Sequence, residues 1–190
     1  SWDVDSGTGV LWSAALGSQT YGGPLIMGDK IFVGTNNQGL RNPEQTGDRG
    51  VMMAFAKADG AFLWQSTHTK LPAGRVNDWP QQGICSTPYI DGDRLYYISN
   101  QAHVVCVDTE GFRDGENDGP FTAETAESEV DGDIVWSLDM MGEALNVFPH
   151  NLATCSPVGV GDLLFVTTSN GVDEGHVHIP APFAPSFLAV

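Results

Sequence analysis

Pro24-Leu-Ile-Met-Gly28-Asp29-Lys-Ile-Phe-Val-Gly-Thr35 is the stretch on which the fold turns. It returns as Pro88-Tyr-Ile-Asp-Gly92-Asp93-Arg-Leu-Tyr-Tyr-Ile-Ser99 and as Pro157-Val-Gly-Val-Gly161-Asp162-Leu-Leu-Phe-Val-Thr-Thr168. In every copy Pro stands four residues ahead of a Gly-Asp pair. An apolar trio follows, Ile31-Phe32-Val33, Leu95-Tyr96-Tyr97 or Leu164-Phe165-Val166, and Thr or Ser closes the run. Glycine accepts the positive φ that a two-residue turn demands, and Asp tolerates it. The flanking β-branched and aromatic residues suit a pleated, half-buried surface. Proline has no ladder donor and belongs at a strand start. Each copy therefore predicts a β-hairpin.

A second element trails the first. Val51-Met-Met-Ala-Phe-Ala56 leads to Asp59-Gly60-Ala-Phe-Leu-Trp64, and Val104-Val-Cys-Val107 leads, across a long insertion, to Asp131-Gly132-Asp-Ile-Val-Trp136. The chain opens on a looser Trp element, Asp5 to Trp12, and closes on a third-strand copy, Ser186-Phe-Leu-Ala-Val190. The unit is a four-stranded antiparallel sheet ending in Trp, which is a propeller blade. The predicted class is all-β, a β-propeller of four-stranded antiparallel blades, with the repeated Trp packing between blades. Residues 1–13 read as the outer strand of a preceding blade, 14–66 as a blade, 83–138 as a blade with an acidic insertion at 112–130, and 153–190 as an incomplete blade. About three blades fall short of the roughly 4 to 8 of a closed propeller. The sequence thus reads as part of a longer polypeptide, or as a chain whose copies or further blades complete a ring.

These motifs resemble the pyrroloquinoline-quinone (PQQ)-like propeller repeat, and the resemblance spans nearly the whole chain. It implies an eight-bladed form when complete and a periplasmic or secreted bacterial setting. Two functions follow from it. One is a non-enzymatic binding or scaffold propeller that takes protein or carbohydrate through its loops. The other is a PQQ- and calcium-dependent alcohol or sugar dehydrogenase. Dehydrogenases of that kind carry adjacent cysteines against the cofactor, whereas Cys85, Cys106 and Cys155 are not adjacent to one another. No c-haem motif is present either. The scaffold reading is preferred, with no cofactor assigned, Ca²⁺ a candidate, and PQQ belonging only to the alternative.

The 190 residues carry 8 Lys and Arg against 24 Asp and Glu, a net charge of −16. That surface repels phosphate backbones, so nucleic acid is not an expected partner. No apolar run approaches the roughly 20 residues of a membrane span.

Three insertions interrupt the repeat: 36–49, about 67–82, and 112–130. Long loops on a rigid scaffold are where binding sites usually sit. In the third, Asp114, Glu116 and Asp118 alternate ahead of Gly119, as in the first half of a calcium loop. Position 12 of that loop is Thr125 rather than an acidic residue, so a solvated acidic loop stands beside the calcium reading. The repeat phase places Asp78, Trp79, Cys85, His150, Asn151 and Cys155 as candidate ligand-binding residues on the channel side, with buried packing of small residues as the alternative. His176 and His178, beside Asp173 and Glu174, would share one face of an extended strand and form a weak divalent-metal candidate.

Overall fold

The computed structural model describes residues 2–3, 5–72 and 74–190. The first sheet is formed by β1 (Leu25–Met27), β2 (Lys30–Asn36), β3 (Arg49–Ala56) and β4 (Phe62–Thr69), in the order β1-β2-β3-β4. The second has β5 (Tyr89–Asp91), β6 (Arg94–Ile98), β7 (His103–Asp108) and β8 (Ile134–Asp139), in the order β5-β6-β7-β8. The third has β9 (Val158–Val160), β10 (Leu163–Thr167) and β11 (Phe187–Ala189), in the order β11-β10-β9. All the strand pairings within these sheets are antiparallel. Each Pro-headed motif folds as the expected hairpin, with Met27 opposite Lys30, Asp91 opposite Arg94 and Val160 opposite Leu163. The turn glycines Gly28, Gly92 and Gly161 have φ of +58°, +59° and +57°. Glycine at the first central position is what a two-residue turn of this kind requires.

Successive sheets bury opposite faces of their strands against each other. Phe32, Met52, Ala54 and Trp64 of the first sheet meet Leu95, Tyr97, Val105 and Val107 of the second. The other face of the second, with Ile98, Val104 and Trp136, meets Leu164, Val166 and Leu188 of the third. The side-chain period of two in each strand supplies both layers at once. Trp64 is fully buried between two sheets, as expected of the repeated Trp, and its Nε1 donates to the Thr109 carbonyl at 3.1 Å.

The opening Trp element departs from expectation. Asp5 to Trp12 forms no strand; its backbone turns through an Asp3–Thr8 bridge. Ser1 and Val4 of the expected 1–13 strand lie outside the described residues. Trp12 nevertheless takes the place on the first sheet that Trp64 takes on the second. Its Nε1 donates to the Lys57 carbonyl at 3.0 Å. A Cβ on Gly60 would stand 2.5 Å from the Trp12 ring, and one on Gly111 would stand 3.0 Å from that of Trp64. Both glycines have left-handed φ, so a side chain there is excluded by backbone and by space. The fourth strand of the first sheet also runs further than expected, to Thr69.

Candidate functional site

Three places gather polar side chains, and each is built by connections between sheets. The first is the linker after β4. Asp78 is buried and forms an ion pair with Lys70. Its second oxygen accepts from the Leu71 amide at 3.0 Å and from Asn100 Nδ2 at 2.8 Å. Burial outweighs these partners and pushes the Asp78 carboxyl above the usual carboxylate range. Trp79, whose ring lies under the Arg75 guanidinium at 4.6 Å, donates its amide to the Asn151 carbonyl at 2.8 Å. The Asn151 amide in turn donates to Val76 at 2.6 Å. The structure therefore brings Asp78, Trp79, His150 and Asn151 into one pair of neighbouring connections. Cys85 is buried near Lys70 and Asp78, and burial pushes its thiol up to about 11. Cys155 stands apart, accepting from the Thr167 amide through Sγ at 3.1 Å. Cys85, Cys106 and Cys155 are all free thiols. With no two of them adjacent, these residues do not fit the cysteine pair expected against PQQ.

The second place is a groove of ≈330 Å³ between the first and second sheets. Arg49, Thr67, His68 and Thr69 form one wall, Gln101, His103, Ser137 and Asp139 the other, and Phe121 to Thr125 of the acidic insertion close one side. At its base the His68 ring meets Tyr97 Oη at 2.8 Å, and Tyr97 donates to Ser66 Oγ at 2.9 Å. Because the Tyr97 proton goes to Ser66, His68 Nε2 is the donor in this chain. Burial holds the imidazole neutral, pulling its pKa down to about 3, with His103 nearby adding to the effect. His103 Nδ1 lies 3.1 Å from Ser137 Oγ, and its Nε2 lies 3.6 Å from Asp139 Oδ1. These are the residue types of a nucleophilic triad. The 3.6 Å Asp139 contact is longer than a hydrogen bond. What the walls offer is a row of donors and acceptors.

The groove is preformed by the insertion. Val130 accepts from the Gln65 amide at 2.9 Å, and Gln65 accepts from the Gly132 amide at 2.9 Å, so the loop's return is stapled to β4. Buried Asp131 accepts from Asn42 Nδ2 at 2.9 Å and from Ser128 Oγ at 2.6 Å. The first insertion is thereby tied to the third. Asp114, Glu116 and Asp118 do not converge on one point. Asp114 Oδ1 accepts from the Glu116 amide, while Asp118 pairs with Arg94 at 2.8 Å. Among the described residues no group of three or more His, Cys, Asp or Glu side chains is placed to hold a metal. Asp133, beside them, has its carboxyl raised to about 6 by burial, with Asp118, Glu124 and Asp108 adding repulsion.

The third place corrects the histidine expectation. Residues 173–178 form a turn, not an extended strand, with the His176 amide donating to the Asp173 carbonyl at 3.0 Å. His176 consequently meets His150, Nε2 to Nε2 at 3.1 Å, rather than His178.

Residues 45–115 match the family model described as "Outer membrane protein assembly factor BamB". That stretch matches a PQQ-like β-propeller repeat. The match runs from just before β3 to just after β7 and includes Arg49, Thr67 to Thr69, Gln101 and His103 of the groove. Among solved structures, the crystal structure of BamB from Moraxella catarrhalis is similar, at 18% identity and a TM-score of 0.49. The likeness covers 87% of this chain and 40% of that one. No curated protein matches the chain.

Proposed function

We propose that the chain is a non-enzymatic, extracytoplasmic binding propeller that takes an extended segment of a partner protein into the groove between its first and second sheets. The observation that carries this is the stapled insertion. It gives a preformed groove whose two walls supply hydrogen-bonding side chains at the spacing of strands. An extended segment carries a main-chain donor and acceptor at each residue, and side chains placed along the groove walls can pair with them. Phe121, Ala123 and Ile134 supply apolar contact at the insertion side. The net charge of −16 favours a basic segment and speeds its encounter. The family description attached to residues 45–115 names an assembly factor, which also supports a protein partner over a small substrate.

The test is selection from a displayed library of random peptides on the whole chain, followed by affinity measurement. Selected peptides should be rich in Lys and Arg. The groove-filling variant Ser137→Trp should weaken them at least tenfold while leaving far-UV circular dichroism unchanged. Equal binding by that variant would remove the groove from the reading. An oligosaccharide array screened in parallel covers the carbohydrate alternative: saturable sugar binding blocked by the same variant would replace the peptide. Appearance of the protein in the periplasmic fraction or medium checks its location.

A further inference from the structure

We infer that His150 and His176 form a two-imidazole site for a divalent transition metal, of which Zn²⁺, Cu²⁺ and Ni²⁺ are the matching class. The site lies between the second and third sheets and is independent of the groove. His150 sits in the connection after β8 and His176 in the loop between β10 and β11. They are 26 residues apart, yet their Nε2 atoms stand 3.1 Å from each other and their ring centroids 4.8 Å.

The His150 ring and the His176 backbone are each held by their surroundings. His150 Nδ1 donates to the Val172 carbonyl at 2.8 Å. A carbonyl only accepts, so this contact fixes the tautomer and leaves the lone pair on Nε2. The same arrangement orients metal-ligating imidazoles in general. The backbone beneath is clamped by hydrogen bonds from the His150 amide to Ser169 and from the Gly171 amide to Phe148, both 3.0 Å. Gly171 must lack a side chain, because a Cβ there would stand 2.7 Å from the His150 Cβ. His176 is set by its own turn, in which Asp173 Oδ1 accepts from the Val177 amide at 2.9 Å.

The spacing suits an ion. With metal–nitrogen bonds of about 2.0–2.1 Å, nitrogens 3.1 Å apart subtend about 95–102°, between the octahedral right angle and the tetrahedral angle. In the metal-free pair, His176 Nε2–H donates to His150 Nε2. On metal binding, His176 moves its proton to Nδ1, and both imidazoles stay neutral. Imidazole nitrogen selects zinc, copper and nickel over calcium and magnesium, which require oxygen. No third His, Cys, Asp or Glu joins the pair among the described residues. The remaining positions therefore belong to water from the adjoining open cleft of ≈490 Å³, lined by Asn151, Thr154 and Asn170.

Titration calorimetry with zinc chloride at pH 7.5 tests the site directly. One equivalent of Zn²⁺ should bind, His150→Gln and His176→Gln should each weaken binding at least tenfold, and His178→Gln should leave it unchanged. With Cu²⁺, electron paramagnetic resonance should show two equatorial nitrogens. The idea is overturned by no saturable uptake at millimolar zinc, by equal binding in both variants, by an equal loss in His178→Gln, or by fewer than two copper-bound nitrogens. Should His150→Gln fail to fold, His176→Gln decides, since His176 is exposed on a loop.

Discussion

At the scale of single residues, the joints between sheets depend on a few buried side chains. Trp64 fills the space between two sheets and satisfies its one donor on a carbonyl. Trp64→Ala should cost about 3–5 kcal/mol, the range for a buried aromatic truncated in a packed core. Trp12→Ala should cost less, because Trp12 is only half-buried. Urea unfolding of the two variants checks the ranking. His68 gives a second prediction, on pH. Its folded pKa, at about 3, lies below the ordinary value of about 6.5. The unfolded chain therefore takes up the proton first as pH falls. The stability linked to neutral His68 is complete above about pH 6.5 and is lost progressively towards pH 3. His68→Gln should flatten that part of the stability–pH curve, measured by thermal melts across the window. Asp133 acts in the opposite sense. A carboxyl raised to about 6 costs stability as pH rises from about 4 to 6, and Asp133→Asn should relieve that cost at neutral pH.

At the scale of elements, the hairpins were legible because turn chemistry and apolar period agree at each Pro-to-Gly-Asp motif. The short last strand was legible for the same reason, and Phe187–Ala189 pairs with β10 where its repeat phase put it. The end of β4 was not. Gln65-Ser-Thr-His-Thr69 is polar throughout and resembles a loop, yet it pairs with Arg49 to Met53. Gln65, Ser66 and His68 are buried there on side-chain hydrogen bonds to Thr67 and Tyr97 rather than on apolar packing, so hydrophobic alternation has nothing to report. The groove itself is assembled from β3, β4, β7, β8, the Gln101 turn and the insertion, and no local spacing announces it. His150 and His176 were each visible as residues, but their pairing depends on a turn that extended-strand reasoning missed. The insertion carries its own prediction. Asp131→Ala strands the buried Asn42 amide without an acceptor, at a cost of about 1–3 kcal/mol. It also frees Ser128 and loosens the side of the groove, so hydrogen exchange should accelerate between Phe121 and Val130 while β5 to β7 stay protected.

At the scale of the molecule, the outer face of the third sheet is apolar and uncovered, whereas Ala14 and Leu16 pack on the buried Val33, Val51, Met53 and Phe55 of the first and leave only its edge open. Ile26 exposes 58% of its surface, and on the third sheet Val160 and Phe187 expose 64% and 61%. Faces of the same kind are the ones buried between the inner sheets. Contiguous exposed patches of this sort drive association. The 190-residue chain should self-associate and bind a hydrophobic dye, and the double variant Val160→Lys, Phe187→Lys should lower both, as read by light scattering and dye fluorescence. The joint by which one sheet receives the next has a consequence for how such chains grow. Each indole is received by a main-chain oxygen, on Lys57 in one case and Thr109 in the other, so the accepting side places no demand on residue identity there. It asks only for a carbonyl and a bare glycine beneath the ring. A duplicated segment brings both with it, whatever else its side chains become, so copying lengthens the array without inventing a new interface. The loops are then free to diverge from copy to copy.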